Sequence, residues 1–505
     1  MTKAFRRVLV AASALVLTGV LALAASPVQA SSVDQRIDTL EQELVRLKKE
    51  QTNTREQAIA AQKKMPLFIY RPGNGLTIAA ADDKWEIQFG NRLQVYWTFW
   101  TNGGDGSSIP KRNTVNGVLQ IRRFRPYINM RVADGFYDLR FKWNTNSRGG
   151  GEAFDAEMYI HFEQMSPWLP YFGFGASPSA ILNPQDNNCS SKRCGRSEQS
   201  LGTNGVGLTT GSNERTIGFV WRKIPRFGPT RVTFLNVWMG QDRLGTGDQF
   251  DSLSGAPINR DGRALTLGIG VKPFDKMGGS FGKVAKGLEL SFGTVIQQSW
   301  KTTGAGAYNF RTNQTRAQRI SMIRTDSMGM TDTFYYYTVG VGYKWKWVQL
   351  RLAGDFSQSS LCTDPDAAGS TGCNNNSGRQ PIYRSAGYRL MGEFWLWSPK
   401  KGLLAGNPRE GGLMVSPMFQ RQDVTQSGGL GDTLRDCAGC KSAHAINTGI
   451  ALWYYLPGRF MNVGVVWDHW ACTNCNSDVS RVVRNFTEGG NYDWDTITLI
   501  SRFQF

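Results

Sequence analysis

From Trp85 to its last residue the chain alternates apolar and polar positions with a period of two, the mark of half-buried β-strands. The clearest strand opens the run: Trp85, Ile87, Phe89, Leu93, Val95, Trp97 and Phe99 fall on one face, and Glu86, Gln88, Arg92, Gln94 and Thr98 on the other. A strand at about 135–146 sets Tyr137, Leu139, Phe141 and Trp143 against Asp138, Arg140, Lys142 and Asn144. Another, at about 333–347, sets Tyr335, Tyr337, Val339, Val341, Tyr343 and Trp345 against Tyr336, Thr338, Gly340, Gly342 and Lys344. These paired glycines, like Gly268 and Gly270, lie inside strand patterns with no helix following, so they read as inward positions without side chains and not as phosphate loops. The final stretch, Tyr492 to Phe505, places Ile497, Leu499, Phe503 and Phe505 opposite Thr496, Thr498, Arg502 and Gln504.

Counting every such segment predicts sixteen strands, starting near residues 85, 118, 135, 153, 168, 213, 229, 262, 286, 332, 348, 383, 411, 444, 460 and 492. The connections alternate between short, as at Ala133-Asp134 and Pro457-Gly458-Arg459, and long, as at 176–212. No run after residue 30 is apolar for the roughly 18 residues a membrane helix needs, so any membrane crossing is by strands. An even strand count with the long loops gathered at one end predicts an all-β fold, a transmembrane antiparallel β-barrel of about 16 strands (16–18) over residues 85–505. Its apolar face would meet lipid and its polar face would line a lumen. A last strand ending on an aromatic residue resembles the C-terminal signal read by the barrel-insertion machinery of bacterial outer membranes, which gives Phe505 that role.

The N-terminus divides into three parts. Residues 1–30 read as an export signal, with Lys3, Arg6 and Arg7 before an apolar run from Val8 to Ala25 and small residues at Val28-Gln29-Ala30. Within 31–52, Val33, Ile37, Leu40, Leu44 and Leu47 form an a/d seam, predicting a short periplasmic coiled-coil helix that needs partner strands. Residues 53–84 lose the pattern, and Pro66 and Pro72 break any helix, so they are expected to be a linker or plug-like lead-in.

Composition supports this reading without changing it: 57 glycines, 12% aromatic and 19% charged residues and a mean hydropathy of −0.35 suit many strands and turns. The net charge of +18 falls by the three signal cations to +15, enough to concentrate anions at a narrow opening. On the inward face, Arg92, Arg123, Arg125, Arg131, Arg140 and Lys142 would form an anion-conducting stripe, unless Asp138, Asp155 and Glu157, which point the same way, neutralise it. The fifth-to-sixth connection, expected to fold inward and narrow the channel, adds Lys192, Arg193 and Arg196. The loop from Lys301 to Met330 carries Lys301, Arg311, Arg316, Arg319 and Arg324 against Asp326; it and the fifth-to-sixth loop could each serve as an anion funnel or as a contact with anionic lipopolysaccharide.

Eight cysteines in an exported chain point to disulfides, and they fall as four local pairs assigned to long connections: Cys189 and Cys194, Cys362 and Cys373, Cys437 and Cys440, Cys472 and Cys475. Because a CxxC ring is strained, the last two pairs could instead join across loops, or hold zinc between them; neither is followed by the His of a c-type haem site. No cofactor is expected.

The stretch Ile87-Gln-Phe-Gly-Asn-Arg-Leu-Gln, then Leu119-Gln-Ile-Arg-Arg-Phe-Arg125, Tyr137-Asp-Leu-Arg-Phe-Lys-Trp-Asn and Ala153-Phe-Asp-Ala-Glu-Met-Tyr-Ile-His-Phe resembles the opening strands of the phosphate-selective porin O/P family. The resemblance covers about a sixth of the chain and the final strand, and Tyr171-Phe-Gly-Phe-Gly-Ala departs from it. It implies a sixteen-stranded homotrimer in the bacterial outer membrane, passing small anions such as phosphate. A general or other solute-specific porin, a surface adhesin and a barrel enzyme are the competing readings. For an enzyme only His161, His444 and His469 are available, none within a recognisable motif, and nothing points to nucleic acid.

Overall fold

The computed structural model describes residues 39–51, 53, 66–102, 117–144, 153–175, 183–187, 216–241, 263–301, 309–311, 321–324, 330–362, 382–407, 410–427, 442–458, 461–475 and 490–504. Two compact units divide at Met65 and Pro66. In the first, a helix covers 39–51, where Leu40, Leu44 and Leu47 are all exposed. Val33 and Ile37, the start of the predicted seam, lie outside the described residues, as do residues 1–30.

The second unit is a closed barrel of sixteen antiparallel strands. In chain order these are β1 (Trp85–Asn102), β2 (Gly117–Val132), β3 (Tyr137–Asn144), β4 (Ala153–Ile160), β5 (Tyr171–Gly175), β6 (Thr216–Trp221), β7 (Arg231–Gln241) and β8 (Arg263–Lys272). They continue as β9 (Leu288–Lys301), β10 (Met330–Trp345), β11 (Val348–Cys362), β12 (Ile382–Ser398), β13 (Gly412–Ser427), β14 (Ser442–Tyr455), β15 (Met461–Cys475) and β16 (Gly490–Gln504). Each pairs with its neighbour, and β16 closes on β1 from Trp494↔Asn102 to Gln504↔Arg92. Phe505 lies outside the described residues.

Burial is inverted relative to a water-soluble protein. Trp97, Leu119 and Ile450 are 46%, 68% and 46% exposed on the outer face, whereas Gln94, Asn236 and Thr496 are 1% exposed or less on the inner one. A wall that turns its apolar side chains outward and shelters its polar ones needs an apolar solvent around it, and this is the arrangement of a membrane-spanning barrel.

The connections at one end are long and span 103–116, 145–152, 176–215, 242–262, 302–329, 363–381, 428–441 and 476–489. Those at the other are short at 133–136, 346–347 and 456–460, but 161–170, 222–230, 273–287 and 399–411 are longer than the pattern predicted, and 273–287 carries a helix, Gly279–Ala285. Several strands run past the roughly ten residues that cross a bilayer, to 18 in β1. For this reason Cys362, Cys472 and Cys475 belong to strands and not to the loops to which they were assigned.

The stretch 53–84 is not a linker throughout. Leu67–Arg71 and Gly75–Ala79 form a hairpin, and its second strand pairs with β1. The turn between them has Pro72 and Gly73 at its centre, with the Asn74 N–H donating to the Arg71 carbonyl (2.9 Å) and Gly73 at φ 80°. A positive φ there is what a type II turn requires, so the residues that ruled out a helix build a hairpin.

The outer face yields a prediction. Ile450 sits in the middle of the apolar belt on β14, and Ile450→Arg is expected to lower the barrel's unfolding free energy in lipid vesicles by about 2–4 kcal/mol, read from urea titrations.

Candidate functional site

The inner face of β2, β3 and β4 holds half of the predicted cationic stripe, and here it is neutralised. Arg131 lies 3.2 Å from Asp138 and 3.3 Å from Glu86, Arg140 lies 3.3 Å from Asp138, and Lys142 pairs with Glu157. The Tyr159 hydroxyl donates to Glu157 (2.6 Å), and the Arg140 guanidinium stacks 4.6 Å from the Tyr159 ring. Below them, in the turn after β4, His161 is held between two acids, with Nδ1 2.8 Å from Glu163 and Nε2 3.2 Å from Asp138. The Asp138 carboxylate, and then that of Glu163, raise its pKa above the ordinary 6.5, against the opposing effect of burial.

The other half of the stripe lies at the seam. In register, Asn462 on β15, Arg502 on β16, Gln94 on β1 and Arg123 on β2 form one inward row, and Gln504, Arg92 and Arg125 form the next. Arg123 donates to the Gln94 side-chain oxygen (2.9 Å), and Arg502 stacks 4.3 Å from the Trp453 ring. A β-bulge in β2 adds a residue here: Gln94 pairs with Arg123 and Val95 with Ile121, which leaves Arg122 between them. Arg122 is buried along with Arg123, on the inside. Strict alternation places Arg122 toward lipid, and so the sequence pattern missed it. The available signal was energetic, since an outward arginine near mid-membrane costs about 2–4 kcal/mol and two adjacent arginines in one strand call for a bulge.

Across the lumen, a piece of the fifth-to-sixth connection is folded inside, as expected. Asn183 and the short helix Pro184–Asn187 pack on β10 and β11. The Asn183 amide donates to Thr338 Oγ1 and to the Val339 carbonyl (both 2.9 Å), and its oxygen accepts from Ser291 Oγ (3.3 Å). The inward glycines of β10 make the space: a Cβ on Gly340 would stand 2.2 Å from Asn183 Oδ1, and one on Gly342 would stand 2.4 Å from Gln185 Nε2. Arg389 on β12 donates to the Gln185 carbonyl (3.3 Å), and beside it Arg351 pairs with Glu393 at 3.5 Å, both side chains buried. Arg389, Arg351 and Glu393 were absent from the predicted stripe, which had been read only from the first strands.

Lys192, Arg193 and Arg196 lie outside the described residues, as do Cys189, Cys194, Cys373, Cys437 and Cys440. Cys472, inward on β15, is buried and disulfide-bonded. Of the basic 301–330 loop, a small hairpin of Asn309–Arg311 and Ser321–Arg324 lies against β14 and β15, on a part of the wall remote from its own strands.

No protein-family model and no curated protein matches the sequence. Among solved structures, the chain is similar to a loop-deletion form of OmpT, an outer membrane protein of Vibrio cholerae (TM-score 0.46, 9% identity, covering 84% of this chain and 100% of that one). It is also similar to the outer membrane channel DcaP of Acinetobacter baumannii (TM-score 0.45, 12% identity, 83% and 97%). An anion-selective porin from Comamonas acidovorans aligns with a TM-score of 0.43 at 10% identity, covering 83% and 100%.

Two outcomes are expected from this geometry. Gly340→Leu removes the seat of Asn183 and with it three hydrogen bonds, each worth about 0.5–1.5 kcal/mol, so the inner segment detaches and single-channel conductance rises while the barrel still assembles. For His161, a raised folded-state pKa means that its pairing stabilises fully below the ordinary 6.5 and fades as pH rises through the folded value. The stability gap between wild type and His161→Gln, measured by denaturant titration, is therefore largest below the ordinary 6.5 and shrinks as pH is raised above it.

Proposed function

We propose that the chain is an outer-membrane porin, a passive diffusion channel that prefers small anions. The observation that carries this reading is the group of inward arginines at the seam, Arg92, Arg122, Arg123, Arg125 and Arg502, set in rows with the amides Gln94, Gln504 and Asn462. Guanidinium and amide groups together replace the hydration of an oxyanion with hydrogen bonds, and several weak sites in series let it leave again. The inner segment at Asn183–Asn187 sets the width, and flow follows the solute's own gradient without a cofactor. On this reading Lys192, Arg193, Arg196 and the basic hairpin-bearing loop gather anions at the mouth; the hairpin's position against β14 and β15 favours a funnel over a contact with lipopolysaccharide.

The same reading carries an export signal at 1–30, a homotrimer joined by the 31–52 coiled coil, a bilayer of lipid and lipopolysaccharide, Phe505 as the insertion signal, and disulfides among the eight cysteines. Phosphate is one candidate solute. A general porin is favoured by one observation of its own: Arg131, Arg140 and Lys142 are ion-paired, so that side of the lumen contributes little net charge.

Reversal potentials in planar bilayers under a salt gradient separate the two. Anion preference is expected in the wild type and is expected to fall sharply in Arg92→Gln/Arg123→Gln/Arg125→Gln, whereas Lys142→Gln/Glu157→Gln, which removes one ion pair without changing net charge, leaves it nearly unchanged. A wild type that selects cations, or no conductance at all, ends the proposal.

A further inference from the structure

β1 continues below the point where β16 stops. β2 accompanies it down to Trp85↔Val132, but among the described residues β16 pairs only as far as Arg92, so the β1 edge from Phe89 to Glu86 is left to another partner. Gly75–Ala79 pairs with part of that edge, from Leu76↔Phe89 to Ala79↔Glu86, and Leu67–Arg71 pairs outside it. Only Gly90 and Asn91 separate the last β1 residue paired by the hairpin from the first paired by β16. The contact is close: a Cβ on Gly75, at φ 84°, would stand 1.9 Å from the Phe89 carbonyl oxygen, and the Asn74 carbonyl accepts from Gln88 Nε2 (2.7 Å) and the Tyr127 hydroxyl (3.3 Å).

The hairpin shares the wall's two faces. Phe68, Ile78, Ile87, Met130 and Leu139 lie in one outward row, and Tyr70, Leu76, Phe89, Ile128 and Phe141 in the next. Phe68 and Tyr70 are 70% and 63% exposed, and the rows they extend belong to the lipid-facing belt.

We infer that residues 67–79 are a strand pair seated in lipid that stops β16 and so sets the register at which the barrel closes. A register slip of one residue is forbidden because it turns every apolar side chain inward, but a slip of two keeps each residue on its face. Alternation alone therefore does not choose between Gln504↔Arg92 and Gln504↔Gly90. The hairpin turn does, because Gly75 already occupies the space beside Phe89 and Gly90 into which β16 would slide. It also pairs backbone groups of the β1 edge that would otherwise face hydrocarbon, which offers them no substitute for water.

Engineered cysteine pairs in the full chain, mapped by mass spectrometry after assembly and oxidation, test the stop. With the hairpin intact, Leu93→Cys with Phe503→Cys crosslinks and Asn91→Cys with Phe503→Cys does not. With residues 67–79 deleted, a substantial share of the crosslink is expected to move by two residues to the 91–503 pair. Gly75→Val, which displaces the hairpin at unchanged chain length, carries the same comparison should the deletion prevent assembly. Crosslinking confined to 93–503 in the altered chains overturns the inference. Its lipid seating is tested by an environment-sensitive fluorophore on Phe68→Cys, expected to be quenched by vesicles with brominated acyl chains; emission as in water, without quenching, would refute it.

Discussion

Every backbone N–H and C=O that crosses a bilayer must be paired within the protein, because hydrocarbon offers no substitute for water. A sheet meets this demand only by closing on itself, so the pairing of β16 with β1 underlies all the rest of the architecture. Closure also fixes which face is which. With lipid outside, the apolar positions of each strand can face outward without penalty, and the polar ones are gathered around a lumen whose wall is rich in buried Gln, Asn, Thr, Ser and Arg.

Sixteen strands enclose more space than side chains fill by themselves, and the chain narrows that space in two ways. One is a loop segment carried inside: Asn183 and Gln185 dock where Gly340 and Gly342 leave room on β10. The other is inward aromatic packing. Trp238 lies over Gly173 and Gly218 in a cluster with Tyr159, Tyr171 and Val220, and Trp395, Met414, Trp453 and Tyr455 form a second cluster toward the short-turn end. In each case glycine on one strand makes room for a bulky group from elsewhere, so small inward residues mark where the lumen is occupied.

Much of this was legible before any coordinates. The predicted strand starts fall within about three residues of the observed ones, because long period-two segments bounded by turn residues leave little freedom, and the inward reading of Gly340, Gly342 and Arg502 holds. What was not legible has local causes. The hairpin at 67–79 has strands of five residues, too short for periodicity to register, and its Pro72-Gly73 turn reads equally well as a loop. Arg122 was hidden by a bulge, which shifts the parity of a strand halfway along. The ion pairs of Arg131 with Asp138 and of Lys142 with Glu157 depend on which strands are neighbours and at what register, and no single strand's pattern contains that, whereas Arg140 and Asp138 pair within β3.

Those ion pairs bear on how net charge should be read in such a pore. Arg131 and Lys142 meet Asp138 and Glu157 one strand away, and Arg140 meets Asp138 on its own strand, so their fields largely cancel within a few ångströms. At the seam the register places amides between the arginines. The amides set donors and acceptors beside the guanidinium groups, and the bulge brings Arg122 inside with them. The Trp453 ring stacks on the Arg502 guanidinium and holds it in place. The lumen thus carries two basic sectors whose neighbours are set by register, carboxylates beside Arg131 and Lys142 and amides beside Arg123 and Arg502.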